Sequence, residues 1–277
     1  MRRLRLLFRW GLGHYRVRMT AEEPKPFVAP CRDLDIHAPF RWLKSGWQDF
    51  RAAPGLSLAW GVFCWGLSTL ITVLAWKTGG AFLLLSVLSG FVFVAPLLAF
   101  GMYSVSRQLC LGNEPGLLQT LRAVRRPFTN SLVFTLVLVV IFLLWARAGT
   151  MVHIFFPSTG EVKLEDLALY LGVGTAVGSI FATICFMASV FSLPFIANRE
   201  TDVITAVVSS INAVLRNRKT MFLWAVLVAF FTALGFVTAL LGFIVIIPLL
   251  GYATWHGYRD ALDVTGWDVL PQGSPRS

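Results

Sequence analysis

Charged residues punctuate this chain at wide intervals, and the stretches between them are almost wholly apolar. Five stretches without Asp, Glu, Lys or Arg stand out: 52–76, 78–106, 127–146, 167–198 and 220–258, of 25, 29, 20, 32 and 39 residues. Each reaches the roughly 20 residues that an α-helix needs to cross about 30 Å of hydrocarbon, a layer in which a charge is costly. As a single helix the last stretch would run about 58 Å at 1.5 Å per residue. Two shorter helices, cornering between Gly235 and Gly242, fit better because glycine tolerates turn dihedrals. The pattern predicts an all-α membrane protein with six helices, at about 55–76, 80–104, 128–146, 167–190, 220–238 and 240–258.

The polar segments carry a second pattern. Before the first helix, Phe40, Leu43, Trp47 and Phe50 fall on one face of a helix, and Arg41, Lys44, Gln48 and Arg51 on the other. Before the fifth, Val203, Val207, Ile211, Val214 and Leu215 precede the basic run Arg216–Lys219; before the third, Leu117–Val124 is a shorter stretch of the same kind. Every second helix also ends on a proline. Pro96 and Pro248 are each followed by aromatics at +4 and +7 and by an arginine at +11 (Arg107, Arg259), and Pro194 is followed by Arg199. The expected plan is three parallel repeats, about 37–107, 114–199 and 201–260. Each is an interfacial amphipathic helix followed by a transmembrane hairpin. Residues 1–36 read as a basic arm, expected to be disordered, and 264–277 as a disordered tail flanking a membrane domain over 37–263. Met19 is an alternative start to Met1.

Composition agrees. Of 277 residues 56% are hydrophobic and 14% charged, too few charges for a soluble domain, and the net charge is +10. With the N-terminus inside, the cytoplasmic segments hold 21 of the 24 Lys and Arg and the outer ones only Lys77, Arg147 and Lys163. That asymmetry orients both termini to the cytoplasm and directs the basic excess to anionic headgroups rather than to nucleic acid. Trp10, Trp42, Trp47, Trp65, Trp76, Trp145, Trp255 and Trp267 lie mostly near span ends, where an aromatic belt is expected. Gly174 and Gly178, with Gly172 and Ala176 alongside, are expected to let helices approach within the chain.

The segments Arg32–Asp35, Pro39–Leu43 and Gly46–Phe50 with Pro54, and the ending Pro248–Trp255 with His256 and Tyr258–Asp260, resemble an uncharacterised bacterial family. It is the integral membrane proteins grouped as domain of unknown function 2189, and the resemblance covers roughly residues 30–263. It implies a bacterial inner-membrane protein and brings no activity or functional residue. Some members carry a label as respiratory oxidase subunit I. Haem or copper would need histidines deep in the membrane, and His14, His37, His153 and His256 all lie outside mid-span.

Candidate chemistry is sparse. His37 and His256 could meet Asp33, Asp35 and Asp260 at the cytoplasmic surface, though solvated interface residues are the default there. No acidic residue falls within the six spans, which argues against ion coupling. Ser57, Thr69, Ser86, Ser89, Ser131, Thr175 and Ser179 suit helix–helix hydrogen bonding, and Glu165 or Asp166 suits a helix dipole. Cys31, Cys64, Cys110 and Cys185 form no disulfide framework and no CxxC. No catalytic, cofactor or metal residue is expected. The functional expectation is a non-enzymatic scaffold, assembly or membrane-homeostasis protein; the alternative is a permease-like facilitator for a small uncharged or lipidic solute. Expected partners are anionic lipid and membrane or cytoplasmic proteins.

Overall fold

The computed structural model describes residues 26–120, 128–155 and 164–270. The described residues are helical, joined by short turns and two isolated β-bridges. In chain order the helices are α1 (Ala38–Ala52), α2 (Pro54–Leu98), α3 (Phe100–Cys110), α4 (Phe128–Phe155), α5 (Leu164–Ser189), α6 (Ser192–Asn198), α7 (Val203–Arg216), α8 (Arg218–Val237) and α9 (Phe243–Ala261). A further helical turn covers 117–120, and the rest of the expected amphipathic stretch to Val124 lies outside the described residues.

Among the described residues, three helical segments are long and apolar enough to cross a membrane: Pro54–Thr78, Gly172–Asn198 and Arg218–Val237. Six had been expected. α9 is not one of them because its second half carries Tyr252, His256, Tyr258, Arg259 and Asp260. It can, because it is sheathed by protein: α1, α2, α3, α6 and α8 all pack on it. α4 is also longer than expected, running past Arg147 to Phe155.

α2 and α3 together replace the expected pair 55–76 and 80–104. Helical hydrogen bonding continues from Pro54 to Leu98, yet the chain doubles back within it. The Trp60 indole N–H donates to the Leu98 carbonyl at 2.7 Å, and a Cβ on Gly101 would fall 2.7 Å from the Trp60 ring. In a straight helix residues 60 and 98 would stand roughly 57 Å apart. The pairing puts the midpoint of the reversal near Gly79. Pro96 lacks an N–H, and the helix breaks at Ala99 before α3 resumes.

α8 and α9 reverse over 238–242, where the corner was expected. The left-handed residues are Ala239 (φ 50°) and Leu240 (φ 69°), not glycines. Thr238 Oγ1 accepts the Gly242 N–H at 2.9 Å and donates to the Leu234 carbonyl. Gly235 contributes room: a Cβ there would lie 2.2 Å from the Phe243 ring.

α1 and α7 have the expected amphipathic spacing, with the faces assigned differently. α1 buries Trp42, Gly46 and Phe50 and leaves Phe40 and Trp47 about half exposed. α7 buries Thr205, Ala206, Ser209, Ser210 and Ala213 and exposes Ile204 and Leu215. The inward faces mix large apolar residues, Trp42 and Phe50 in α1 and Val203 and Val214 in α7, with small or polar ones where helix backbones press close. A Cβ on Gly46 would stand 2.8 Å from the Ala253 nitrogen. The outward apolar stripes thus add to the exposed apolar surface of α2, α4 and α8. The aromatic belt is correspondingly thinner than expected: Trp47 and Trp76 are exposed, whereas Trp42, Trp255 and Trp267 lie in the core.

Residues 26–36 and 262–270, the described parts of the two flanking segments, are tied to the core. Cys31 bridges Leu262, and Asn217 staples the N-terminal segment through the Leu34 N–H (2.8 Å) and the Arg32 carbonyl (3.1 Å). Trp267 packs edge-on to Phe195, with centroids 5.3 Å apart. Residues 262–270 therefore form a strap over the core, in place of a disordered tail from 264. Residues 1–25 and 271–277, and with them Met19 and His14, lie outside the described residues.

Two results are expected. Gly61 meets the Ile244 carbonyl, which would stand 1.8 Å from a Cβ, whereas Gly66 has open space. Gly61→Ala should therefore cost about 3 kcal/mol or more in thermal unfolding in detergent, and Gly66→Ala should be neutral or stabilising. Asp202 caps α7 by accepting the Thr205 N–H at 2.8 Å. Burial would raise its pKa, but hydrogen bonds led by Thr205 hold it below the usual carboxylate value. Its stabilisation is thus full above about pH 4 and fades as the pH falls through the depressed folded value. Asp202→Ala should cost about 1 kcal/mol at pH 7, and the gap from wild type should shrink toward pH 2 in a pH series of melting curves.

Candidate functional site

The proline-marked helix ends converge. α3, α6 and the second half of α9 pack on one another, and α1 and α7 lie against them. The junction is filled by rings: Phe195 stacks near Tyr258 with centroids 6.0 Å apart, Phe100 meets Tyr103 edge-on at 6.1 Å, and Trp42 meets Trp224 and Phe191 edge-on. Tyr252, Trp255 and Tyr258 are all buried.

Breaking helices here frees backbone groups, and side chains from the amphipathic helices take them up. Between α5 and α6, Ser210 of α7 stands in the gap. Its Oγ accepts the Phe191 N–H at 3.1 Å and donates to the Met187 carbonyl at 2.7 Å. These two groups, four residues apart, would pair directly in an unbroken helix. Ser192 Oγ reaches the Ala188 and Ala206 carbonyls.

Two polar clusters sit in the junction. In the first, Asp49 of α1 is the shared acceptor: Ser106 Oγ of α3 donates to its Oδ2 at 2.5 Å, and His256 Nε2 of α9 lies 2.9 Å from the same oxygen. Ser57 Oγ donates to the Ala53 carbonyl at 2.7 Å, which leaves the Tyr252 hydroxyl, 2.8 Å away, to donate to Ser57. Carboxylate, imidazole and hydroxyl are thus present, but the carboxylate stands between the other two. The imidazole reaches the carboxylate and not the hydroxyl, so the order differs from a hydroxyl–imidazole–carboxylate relay. It is a polar tie across three helices.

The second cluster is cationic. Arg107 of α3 is nine-tenths buried and donates to the carbonyls of Ala197 (3.3 Å) and Leu270. Arg199, just past α6, donates to the Trp267 carbonyl at 2.8 Å. Asn198 Nδ2 donates to the Tyr258 hydroxyl at 3.0 Å, and Arg259 to Cys110 Sγ at 2.9 Å. Desolvation first, and then the neighbouring Arg199 charge, lowers the pKa of Arg107.

The residues weighed for a surface metal site do not come together. His256 is committed to Asp49. Asp35 pairs with Arg41 at 2.8 Å, Asp260 accepts the Trp42 indole N–H at 3.0 Å, and Asp33 lies 3.9 Å from Arg216. Among the described residues no three potential metal ligands cluster. The glycines of α5 depart from expectation as well: among the described residues nothing comes within 4 Å of a Cβ built at Gly172, Gly174 or Gly178. Of the serines and threonines singled out, Ser57 bonds between helices. Ser179 bonds back to its own helix, Thr69 Oγ1 is buried without a partner, and the side chains of Ser86, Ser89, Ser131, Glu165 and Asp166 lie outside the description. Asp49, Ser106 and Ser210 were missed because single polar residues on an otherwise ordinary helix face carry no spacing signal. The available clue to Asp49 was an acid in a basic amphipathic helix, on the face of Trp42.

Residues 83–198 match the family model described as "Predicted integral membrane protein (DUF2189)", the family that the sequence resembles. No curated protein and no solved structure matches the chain.

Truncating Asp49 strands two donors, one on each of two helices. Asp49→Ala should lower stability by roughly 2–4 kcal/mol, and Asp49→Asn, which keeps one acceptor oxygen, by less. Melting curves of the purified variants in one detergent measure both.

Proposed function

We propose that the chain crosses the bacterial inner membrane six times, with both termini in the cytoplasm, and acts there as a scaffold or assembly factor, without catalysis. The observation that carries this reading is the filled junction. A solute passage would need a polar, hydrated lining where the helix ends meet, whereas Phe100, Tyr103, Phe191, Phe195 and Tyr258 belong to one apolar cluster there. The packing favours a rigid body whose working surfaces are on its outside, and the permease reading gains no support from it.

The arrangement of units supports the crossing count. α1 is followed after one residue, Ala53, by a reversed pair, and α7 after one residue, Asn217, by another. Ala53 leaves the helical region because the next residue is Pro54. α4 and α5 pack as the pair between them. The contacts also close a ring: α1 rests on α9, α7 rests on α5 and α6, and Gln108 of α3 reaches Thr120 at 3.2 Å. Each amphipathic helix lies against the last helix of another unit, as three repeats about a common axis would require.

The working surface on this reading is the side that carries α1 and α7. Their outward apolar stripes, flanked by Arg41, Lys44, Arg51 and Arg216, suit the headgroup layer of anionic lipid and the juxtamembrane face of a partner protein. Topology reporters fused after residues 79, 155 and 240 should read as periplasmic, and after 115, 210 and 270 as cytoplasmic. A cytoplasmic reading at 79 or a periplasmic one at 270 contradicts the six-crossing arrangement. Gentle purification should also recover stoichiometric protein partners, while liposomes holding the protein should pass small neutral solutes no faster than empty ones.

A further inference from the structure

Arg107 and Arg199 are out of electrostatic balance. Neither forms an ion pair among the described residues, and every acceptor that they reach is a neutral backbone carbonyl: Ala197 and Leu270 for Arg107, Trp267 for Arg199. The Nε of each is buried with no hydrogen-bond partner. The acid that acts on Arg199 from a distance, Asp263, is held by the Thr265 N–H (3.2 Å) and hydroxyl (2.8 Å) and shared with Arg32 at 3.9 Å. Arg259 stands across Tyr258, which all three guanidinium charges reach. A guanidinium withdrawn from water is costly without a charged partner. The Nε–Nη2 edge, which grips an oxyanion bidentately, is unpartnered on Arg199, and on Arg107 the Leu270 carbonyl takes its Nη2 and leaves Nε free.

The carbonyls that cap the pair come from the strap 262–270. Trp267 anchors it in the core, and the Glu200 N–H to Asp268 carbonyl bond (2.9 Å) fixes its middle. Beyond that, Leu270 holds by its own N–H to the Asn198 carbonyl at 3.2 Å and by its carbonyl to Arg107. The last residue of the strap can therefore leave without uncovering Trp267.

We propose that Arg107 and Arg199 form a phosphate-binding site that the end of the C-terminal strap caps through the Leu270 carbonyl. A phosphate carries the negative charge that two guanidiniums lack and enough oxygens for both forks. The same chemistry is offered by the headgroup of an anionic phospholipid and by free phosphate. The inference uses only contacts among the described residues, so it stands or falls separately from the count of crossings.

The test is the melting temperature of the full-length protein. It is measured in detergent against inorganic phosphate, with chloride at matched ionic strength as the blank, and in nanodiscs of phosphatidylglycerol against phosphatidylcholine. Native mass spectrometry counts retained lipid. A shift in phosphatidylglycerol alone identifies the lipid headgroup as the source, and a shift with inorganic phosphate as well identifies free phosphate. Arg199→Gln and Arg107→Lys, which keeps the charge but not the fork, should each weaken binding about tenfold. Deleting 270–277 should strengthen it by removing the competing carbonyl, and Lys44→Gln should leave it unchanged. No shift with either probe in both wild type and the deletion, or a shift that survives both arginine substitutions, overturns the proposal.

Discussion

A helix interrupted inside a membrane protein must have its freed amides and carbonyls satisfied by the protein itself, because hydrocarbon offers no hydrogen bonds. This fold is arranged around that requirement. Pro96 and Pro194 lie beside helix breaks, and both breaks are met by side chains from distant parts of the chain: the Trp60 indole on the Leu98 carbonyl, and the Ser210 hydroxyl between Met187 and Phe191. Because the partners come from other elements, each repair is also a tertiary contact. The breaks gather α3, α6, α7 and α9 into one junction.

The junction explains why the amphipathic helices have their unusual faces. Their inward faces include small or polar positions (Gly46 and Asp49 in α1, Ser209 and Ser210 in α7) that press on backbone and supply hydrogen bonds beside the buried Trp42, Phe50, Val203 and Val214. Of the apolar positions that give these helices their spacing, Phe40, Trp47 and Leu215 are turned outward, as is Ile204, while Phe50, Val203 and Val214 are buried. Apolar residues thus lie on both sides of each helix, and the outward ones suit a surface bathed in lipid. The cationic cluster follows from the same convergence. Helices that meet at a basic membrane face bring their terminal arginines together, and the C-terminal strap supplies backbone carbonyls to them.

Much of the fold was legible in the sequence, for a physical reason. The cost of charge in hydrocarbon writes helix positions into the spacing of Arg51, Lys77, Arg107 and Lys219, and the corner between Gly235 and Gly242 follows from length alone. What the spacing could not show was which side of α1 faces protein, since both sides are apolar in part and Trp42 looks no different from Trp47. Nor could it show that α9, with His256 and Arg259, is sheathed rather than lipid-facing, because burial by neighbours leaves no local mark. The small residues of α5 misled in the opposite sense: Gly174 and Gly178 satisfy the spacing for close packing, and none of the described residues packs there. The candidate site was the least legible part. Asp49, Ser106 and His256 are spread over some 200 residues, and their meeting depends on the junction as a whole.

The claim on which the account rests most heavily is that α2 doubles back, so that the beginnings and ends of the helical pairs share one side. Pulsed electron–electron resonance between spin labels at Leu58 and Leu111, both exposed, measures this directly in a background without the four native cysteines. A distance below about 25 Å is the result expected of a reversal near Gly79. A distance beyond about 50 Å, as a straight helix of 45 residues requires, would contradict the account.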